Sequence, residues 1–501
     1  MKRRKFVQSA LATAAAASMP VEQLLAVWGH KPTKIPGDIN AVTGNGDEKV
    51  IEKAVVQELA DSLRGRLLLP SSEGYDQARK VWNGMIDKHP ALIVQCEGQS
   101  DVIHAVQLAH DYDLLTAVRG GGHNVAGKAV CEGGIMIDLS QMNGIRVDPK
   151  ARIAWAEPGV LLGALDHETQ LYGLATPAGV VSHTGAAGLT LGGGFGRLSR
   201  VYGLTCDNVR SYDIVTASGE FKRARVSENP DLYWGLRGGG GNFGVVTGFE
   251  YQLHPVGTEF LAGSIMHPMS AARDVFTFFA EVESKAPNEL QISSNAIVLP
   301  NGKGFVSMGV FYNGDMKQGE KLIQPLRDFG KPMNVSIGPE KYVDIQQRTD
   351  SRTPPGKRYY QKAGFFDEVQ PGLIDAILEI ASNPNPFQMT LIFSQVGGAI
   401  KDVPNDATAY ANRSAQQQMV LGGSWPNEHD QENEYIGMMR AGWEKIAPFS
   451  KGVYTNNMMG DEGDKKVISN YGENYKRLVA LKNEYDPTNL FRLNVNVAPS
   501  V

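Results

Sequence analysis

Residues 230–247 read PDLYWGLRGGGGNFGVVT, and the glycine run inside them decides between two folds. Gly239, Gly241 and Gly244 satisfy the spacing G-x-G-x-x-G. A Rossmann dinucleotide fingerprint has a strand before these glycines and a helix after them. Here the order is inverted. Asn229 caps and Pro230 opens a helix before the run, while the β-rich Val245-Val246-Thr247 begins a strand after it. A P-loop is excluded more simply, because no Gly-Lys-Ser/Thr follows any glycine cluster. Clustered glycines still ask for a reason: backbone brought against a ligand, or forced into positive φ.

Working outward, two more clusters appear. Arg119-Gly120-Gly121-Gly122-His123-Asn124, with Gly127 beyond, follows an expected strand over residues 115–119. Three bare glycines there leave N–H groups free to face an anion such as a pyrophosphate. Residues 188–196, GLTLGGGFG, carry only small or apolar side chains, so backbone amides must supply the polar contacts. An apolar run at 91–95 predicts a buried strand. Ser100-Asp101 is expected to cap a helix bearing Val102, Ile103, Val106, Leu108 and Ala109. This strand–helix–strand opening resembles an α/β nucleotide-binding half. Further strands are expected at 134–139, 152–157, 208–216 and 245–253, the last running into His254-Pro255 and Gly257 as a domain exit. Before all this, a loop is expected at 42–47 and a helix at 50–63, with Val55, Val56, Leu59 and Leu63 on one face. From about 260 to 450, alternating runs at 304–311 and 389–396 mix with helices at 271–285 and 372–382, which predicts a sheet covered by helices on one face.

The bounds agree. With 501 residues, two domains are the default. A net charge of −5 argues against a nucleic-acid footprint. Beyond the N-terminus no apolar run reaches about 18 residues, so no membrane span is expected. Three cysteines, Cys96, Cys131 and Cys206, do not make a disulfide scaffold. The ten histidines are scattered, and no metal site is predicted. Lys2, Arg3, Arg4 and Lys5, then Phe6-Val7 and an Ala-rich stretch over 10–17, read as a twin-arginine export signal. The chain is therefore expected to use that export machinery and to reside in the periplasm or outside the cell.

Five motifs in order resemble one family. RGGGHN (119–124), GLTLGGGFG (188–196), YGLTCDN (202–208), DLYWGLRGGGGNFGVV (231–246) and YGENYKRLVALKNEYDPTNLFR (471–492) are similar to the FAD-linked oxidases of the vanillyl-alcohol oxidase and p-cresol methylhydroxylase type, berberine-bridge-enzyme-like. The resemblance covers about 91–256 and 453–497. It implies fold class α+β: a two-domain PCMH-type FAD-binding fold with an α+β substrate domain. The organisation it implies is signal and lead-in 1–30, FAD domain 75–258, substrate domain 259–452, and a segment 453–501 returning to the FAD domain. His123 stands at the position that bonds the flavin's 8α methyl. The resemblance places cofactor contacts at Arg119, Gly120, Gly121, Gly122, His123, Asn124 and Gly127. Further ones fall at Thr184, Gly185, Gly188, Leu191, Gly192, Gly193, Gly194 and Gly196. The rest are Tyr202, Gly203, Cys206, Asp207, Asn208, Gly244, Val246, Asn494 and Asn496.

The departures matter equally. Relatives with a second flavin link carry a Cys where this chain has Val181, so a single attachment is expected, with Cys206 a small buried residue. Val495 replaces a common Gln. The reaction implied is hydride removal from a C–OH or C–N carbon of a small organic substrate, which needs a base within about 2.6–3.2 Å of the departing proton. The Tyr often used is the second of a Y-x-N-Y run, and here Asn457 replaces it. Tyr454, Asp402 and Tyr410 remain as candidates, with strand alternation placing Tyr454 beside Asn456. Thr184 stands where a Val admits dioxygen and a Leu excludes it, which favours dioxygen as acceptor. A dehydrogenase with another acceptor and a redox-silent flavin-binding protein remain alternatives. An NADPH-using reductase of the cell-wall type is disfavoured by His123 and the signal.

Overall fold

The computed structural model describes residues 34–300, 302–383, 385–427 and 431–500. The basic N-terminal segment lies outside these.

The glycine loops hang from two small sheets. In the first, Leu92–Gln95 and Thr116–Arg119 both pair in parallel with Ile135–Asp138, and Arg66–Leu68 adds an antiparallel edge. Every residue of Leu92–Gln95 and Ile135–Asp138 is buried, as expected of inner parallel strands covered on both faces. The second sheet is antiparallel, ordered Phe221–Arg225, Val209–Thr216, Gly244–Gln252, Ile153–Ala156, Ile145–Asp148. The expected strands are all present. Two details differ. The helix expected at 50–63 is Lys53–Ser62, because Val50 belongs to the strand Glu48–Ile51. The helix Gln99–Asp111 starts at Gly98 rather than on a Ser-Asp cap. Asp101 is buried and accepts hydrogen bonds from the backbone of Arg64, Gly65 and Glu97 instead.

The seven-stranded antiparallel sheet is ordered Asn334–Lys341, Glu259–Pro268, Gly304–Tyr312, Leu290–Val298, Gln388–Gln395, Gln417–Trp425, Arg358–Phe366. Leu290, Ile292, Ala296 and Val298 pack with Phe276, Phe279 and Ile377 from the helices Ala272–Glu283 and Pro371–Ser382. Each of the Leu, Ile, Val and Phe side chains is worth about 1.5–3 kcal/mol of burial. The other face is polar and turns toward the glycine loops. Gln291 donates to Gly196 O, and Gln361 and Gln418 both donate to Asn457.

The last helix, Tyr475–Tyr485, closes the structure by a buried ion pair. Lys482 and Asp486 are both fully buried, 2.6 Å apart. Lys482 also donates to Asn242 O at 2.9 Å, while Asp486 accepts from Leu490 N and Phe491 N. Asn242 in turn donates to Gly239 O and Val495 O and accepts from Val497 N. One buried cation thus ties the third glycine loop to the C-terminal strand of chain.

Candidate functional site

The three glycine loops and the C-terminal segment converge on one cleft, which holds about 1370 Å³ of empty space counting its open mouth. The first loop contributes Gly120 to Asn124, the second Thr184 to Gly192, the third Gly240 to Val246. Tyr454, Thr455, Asn456, Tyr471, Phe491 and Leu493 to Val495 close the remaining wall. The loops touch backbone to backbone. A Cβ on Gly121 would lie 2.5 Å from Gly185 N and Cα, so neither residue tolerates a side chain. Gly238 has φ +115, and a Cβ there would strike the Tyr410 backbone at 2.5 Å.

Of the residues expected to contact a cofactor, Gly120, Gly121, Gly122, His123, Asn124, Thr184, Gly185, Gly188, Leu191, Gly192, Gly244, Val246 and Asn494 line the cleft. The others stand behind it. The Arg119 guanidinium turns away to donate to Ala78 O. Gly127 and Gly196 are packed against Ile86 and Ala178. The YGLTCDN stretch is a buckle. Thr205 N and Cys206 N donate to Gly194 O and Gly193 O, both at 2.8 Å. Tyr202 stacks on His254 at 4.1 Å, and Gly203 has φ +81 at the turn. Asn208 donates to Tyr202 O and Leu204 O. Asp207 is bound by Arg413 at 2.7 Å. Cys206 is buried, and burial pushes its thiol up. The motif therefore shapes the second loop from behind. Asn496, half-buried with its Oδ1 shut away from solvent, is also outside the lining.

His123 sits in a stack of rings. Trp82 lies on it at 4.4 Å, and Tyr359 lies on Trp82 at 3.9 Å. His123 Nε2 is 3.1 Å from His183 Nδ1. Burial, then the neighbouring His183, pushes the His123 imidazole down to about 4, so it is neutral. Tyr454 OH accepts from Gly194 N at 3.1 Å and from Asn456 Nδ2 at 2.7 Å. Those donors favour phenolate, yet burial outweighs them and raises the phenol. Its own hydrogen is left to donate. Tyr454 and Asn456 do share a side, through a 3₁₀ turn over Thr455–Asn457 rather than a strand.

The other two catalytic candidates fall elsewhere. Asp402 is exposed and borders a separate polar cleft with Arg200, Glu283 and Lys401. Tyr410 is buried edge-on to Phe365, under Gly193 and Gly238, outside the lining. Sequence reasoning missed Trp82, which no motif marks, and His183, which stood unread beside Thr184. It also missed Lys128, four residues past Asn124, whose side chain lines the cleft and donates to Asn494 O.

The cleft suits FAD chemically. Glycines of all three loops bring backbone to its wall, Lys128 adds a cationic side chain to the lining, and among the described residues Asn494 Oδ1 is buried without a hydrogen-bond donor. Among the described residues no His/Cys/Asp/Glu group has metal-binding geometry, and no helix is long and apolar enough to cross a membrane.

Comparison with known proteins agrees. Residues 90–225 match the FAD binding domain family, and residues 453–498 match the berberine and berberine-like family. An FAD-linked oxidoreductase of Dictyostelium discoideum is 34% identical over 89% of this chain and 97% of its own. The (R)-6-hydroxynicotine oxidase of Paenarthrobacter nicotinovorans is 29% identical over 87% of this chain and 97% of its own. The crystal structure of 6-hydroxy-D-nicotine oxidase from Arthrobacter nicotinovorans superposes with TM-score 0.80 at 28% identity, covering 88% of this chain and 99% of that one. Berberine bridge enzyme itself shares the fold at TM-score 0.80 and 20% identity, covering 89% and 99%. The chain therefore belongs to the FAD-linked oxidoreductases that join a PCMH-type FAD-binding domain to a berberine-like C-terminal segment.

Proposed function

We propose that this enzyme holds FAD covalently through His123 alone and oxidises a C–OH or C–N carbon of a small organic substrate, with dioxygen as acceptor. The observation that carries the reading is the His123 imidazole in the wall of the glycine-loop cleft, stacked on Trp82 and 3.1 Å from His183, with Tyr454 lining the same cleft. Bound there, FAD would supply the two-electron acceptor for the substrate's hydride. Gly120 to Gly122, Gly185, Gly188 and Lys128 would hold its phosphates and ring system. The chain divides into an FAD domain at 75–258, a substrate domain at 259–452 and the returning segment 453–501. Tyr454 is the group placed to exchange the substrate's O–H or N–H proton. Its donors Gly194 N and Asn456 stabilise the negative charge it would carry. Val181 offers no sulfur, and Cys206 is walled off behind the second loop, which supports a single link.

Dioxygen is favoured by Thr184, smaller than Leu, in the cleft wall. The Arg3-Arg4 pair supports export, and its replacement by two lysines should retain the protein in the cytoplasm. The functional test is an anaerobic screen of sugars, alkaloids, aromatic alcohols and amines for flavin bleaching. At least one class should bleach it, and aerated buffer should then restore the colour quickly in wild type and slowly in Thr184→Leu. No bleaching by any class would favour a redox-silent binder. Slow recovery in wild type would favour a dehydrogenase.

A further inference from the structure

The contact between the two imidazoles constrains more than position. A neutral histidine has one N–H and one bare nitrogen, so a hydrogen bond at one nitrogen fixes the state of the other. If His183 donated to His123 Nε2, the His123 Nδ1 would carry the hydrogen and neither nitrogen could attack an electrophile. If His123 Nε2 donates, Nδ1 holds a free lone pair. We infer that His183 is a positioning residue for flavin attachment: its Nδ1 accepts from His123 Nε2, fixes the tautomer that leaves Nδ1 nucleophilic, and takes the Nε2 proton as the bond forms. This rests on the covalent reading above.

The surroundings support that role. Trp82 fixes the His123 plane, with an interplanar angle of 16°. Trp82 is itself held by donating Nε1–H to Thr353 O at 2.9 Å and N–H to Gly122 O at 3.0 Å. The loop carrying His183 is pinned from the same side. Ser182 N donates to Asp350 Oδ1 at 3.0 Å, and Thr349 donates its hydroxyl to Val180 O at 2.8 Å. Residues 349–359 thus set both neighbours of His123. Among the described residues His183 Nε2 is buried without a partner, so the contact with His123 is what orients the His183 ring. The balance is simple. One N–H bond of His123 and one C–H bond of the 8α methyl break, and one N–C bond forms. Two protons and two electrons leave, to dioxygen as hydrogen peroxide.

The test compares wild type, His183→Ala and His183→Gln, each purified with FAD. It reads the share of flavin surviving acid precipitation and the growth of that share with time. Wild type should be fully attached, through Nδ1. His183→Ala should bind FAD yet attach it roughly a hundredfold more slowly, the scale of a lost proton acceptor, and added imidazole should restore the rate. His183→Gln should fall between, because its amide oxygen accepts the hydrogen bond but cannot take the proton. Wild-type attachment rates in His183→Ala, or in His183→Gln should His183→Ala not hold FAD, would overturn the inference. So would a link through Nε2. Acid-released flavin in wild type would instead sink the covalent reading itself, and this inference with it.

Discussion

The cleft and the sheet that faces it are built by opposite means. The cleft is framed by main chain, with loops meeting where Gly121 touches Gly185 and anchored behind by Thr205 and Cys206 amides. The facing sheet presents side chains, among them Gln291, Gln361 and Gln418, from strands far apart in sequence. Backbone recognition requires specific residue types at fixed spacing, because only glycine permits the approach. Side-chain recognition changes with every substitution that keeps the strand. A common cofactor and a variable substrate suit these two constructions.

The comparison can be broken at its strongest point first. Gly121→Val should abolish flavin binding and all turnover, because the new side chain collides with Gly185 backbone. Flavin content per protein checks this, and wild-type content would show that the loops need not touch. Next is the tie between the third loop and the C-terminal helix. Lys482→Met strands a fully buried Asp486 and should cost about 3–5 kcal/mol, read as a lower denaturation midpoint with bound flavin. A loss under about 1 kcal/mol would mean that Asp486 relaxes to solvent or protonates. The smaller effects sharpen the substrate side. Tyr454→Phe should lower kcat by roughly a hundredfold while flavin stays bound, the range for a proton-transfer group. Asp402→Asn should leave kcat and KM unchanged. The reverse pattern would move the proton-transfer role to the polar cleft by Arg200.

Much of the first construction was legible in the sequence, and for the same reason. The inverted order around Gly239 to Gly244 excluded a Rossmann turn, and the structure has the helix Pro230–Leu236 before it and the strand Gly244–Gln252 after it. The YGLTCDN residues were legible as a motif but not as a buckle, because a residue that shapes a loop from behind leaves the same mark as one that touches a ligand. Trp82 and His183 were illegible because ring stacking depends on long-range docking, which no local spacing encodes. Asp402 was misleading for the matching reason: position along the chain says nothing of which cleft a loop borders.

The most direct test is the chemistry of His123. The purified full-length protein is precipitated with acid, the pellet digested, and its peptides weighed, beside His123→Ala treated alike. The account predicts flavin on the peptide bearing His123 and on no other, with the His123→Ala flavin released to the supernatant. Flavin released from wild type, or found on Cys206, would contradict it.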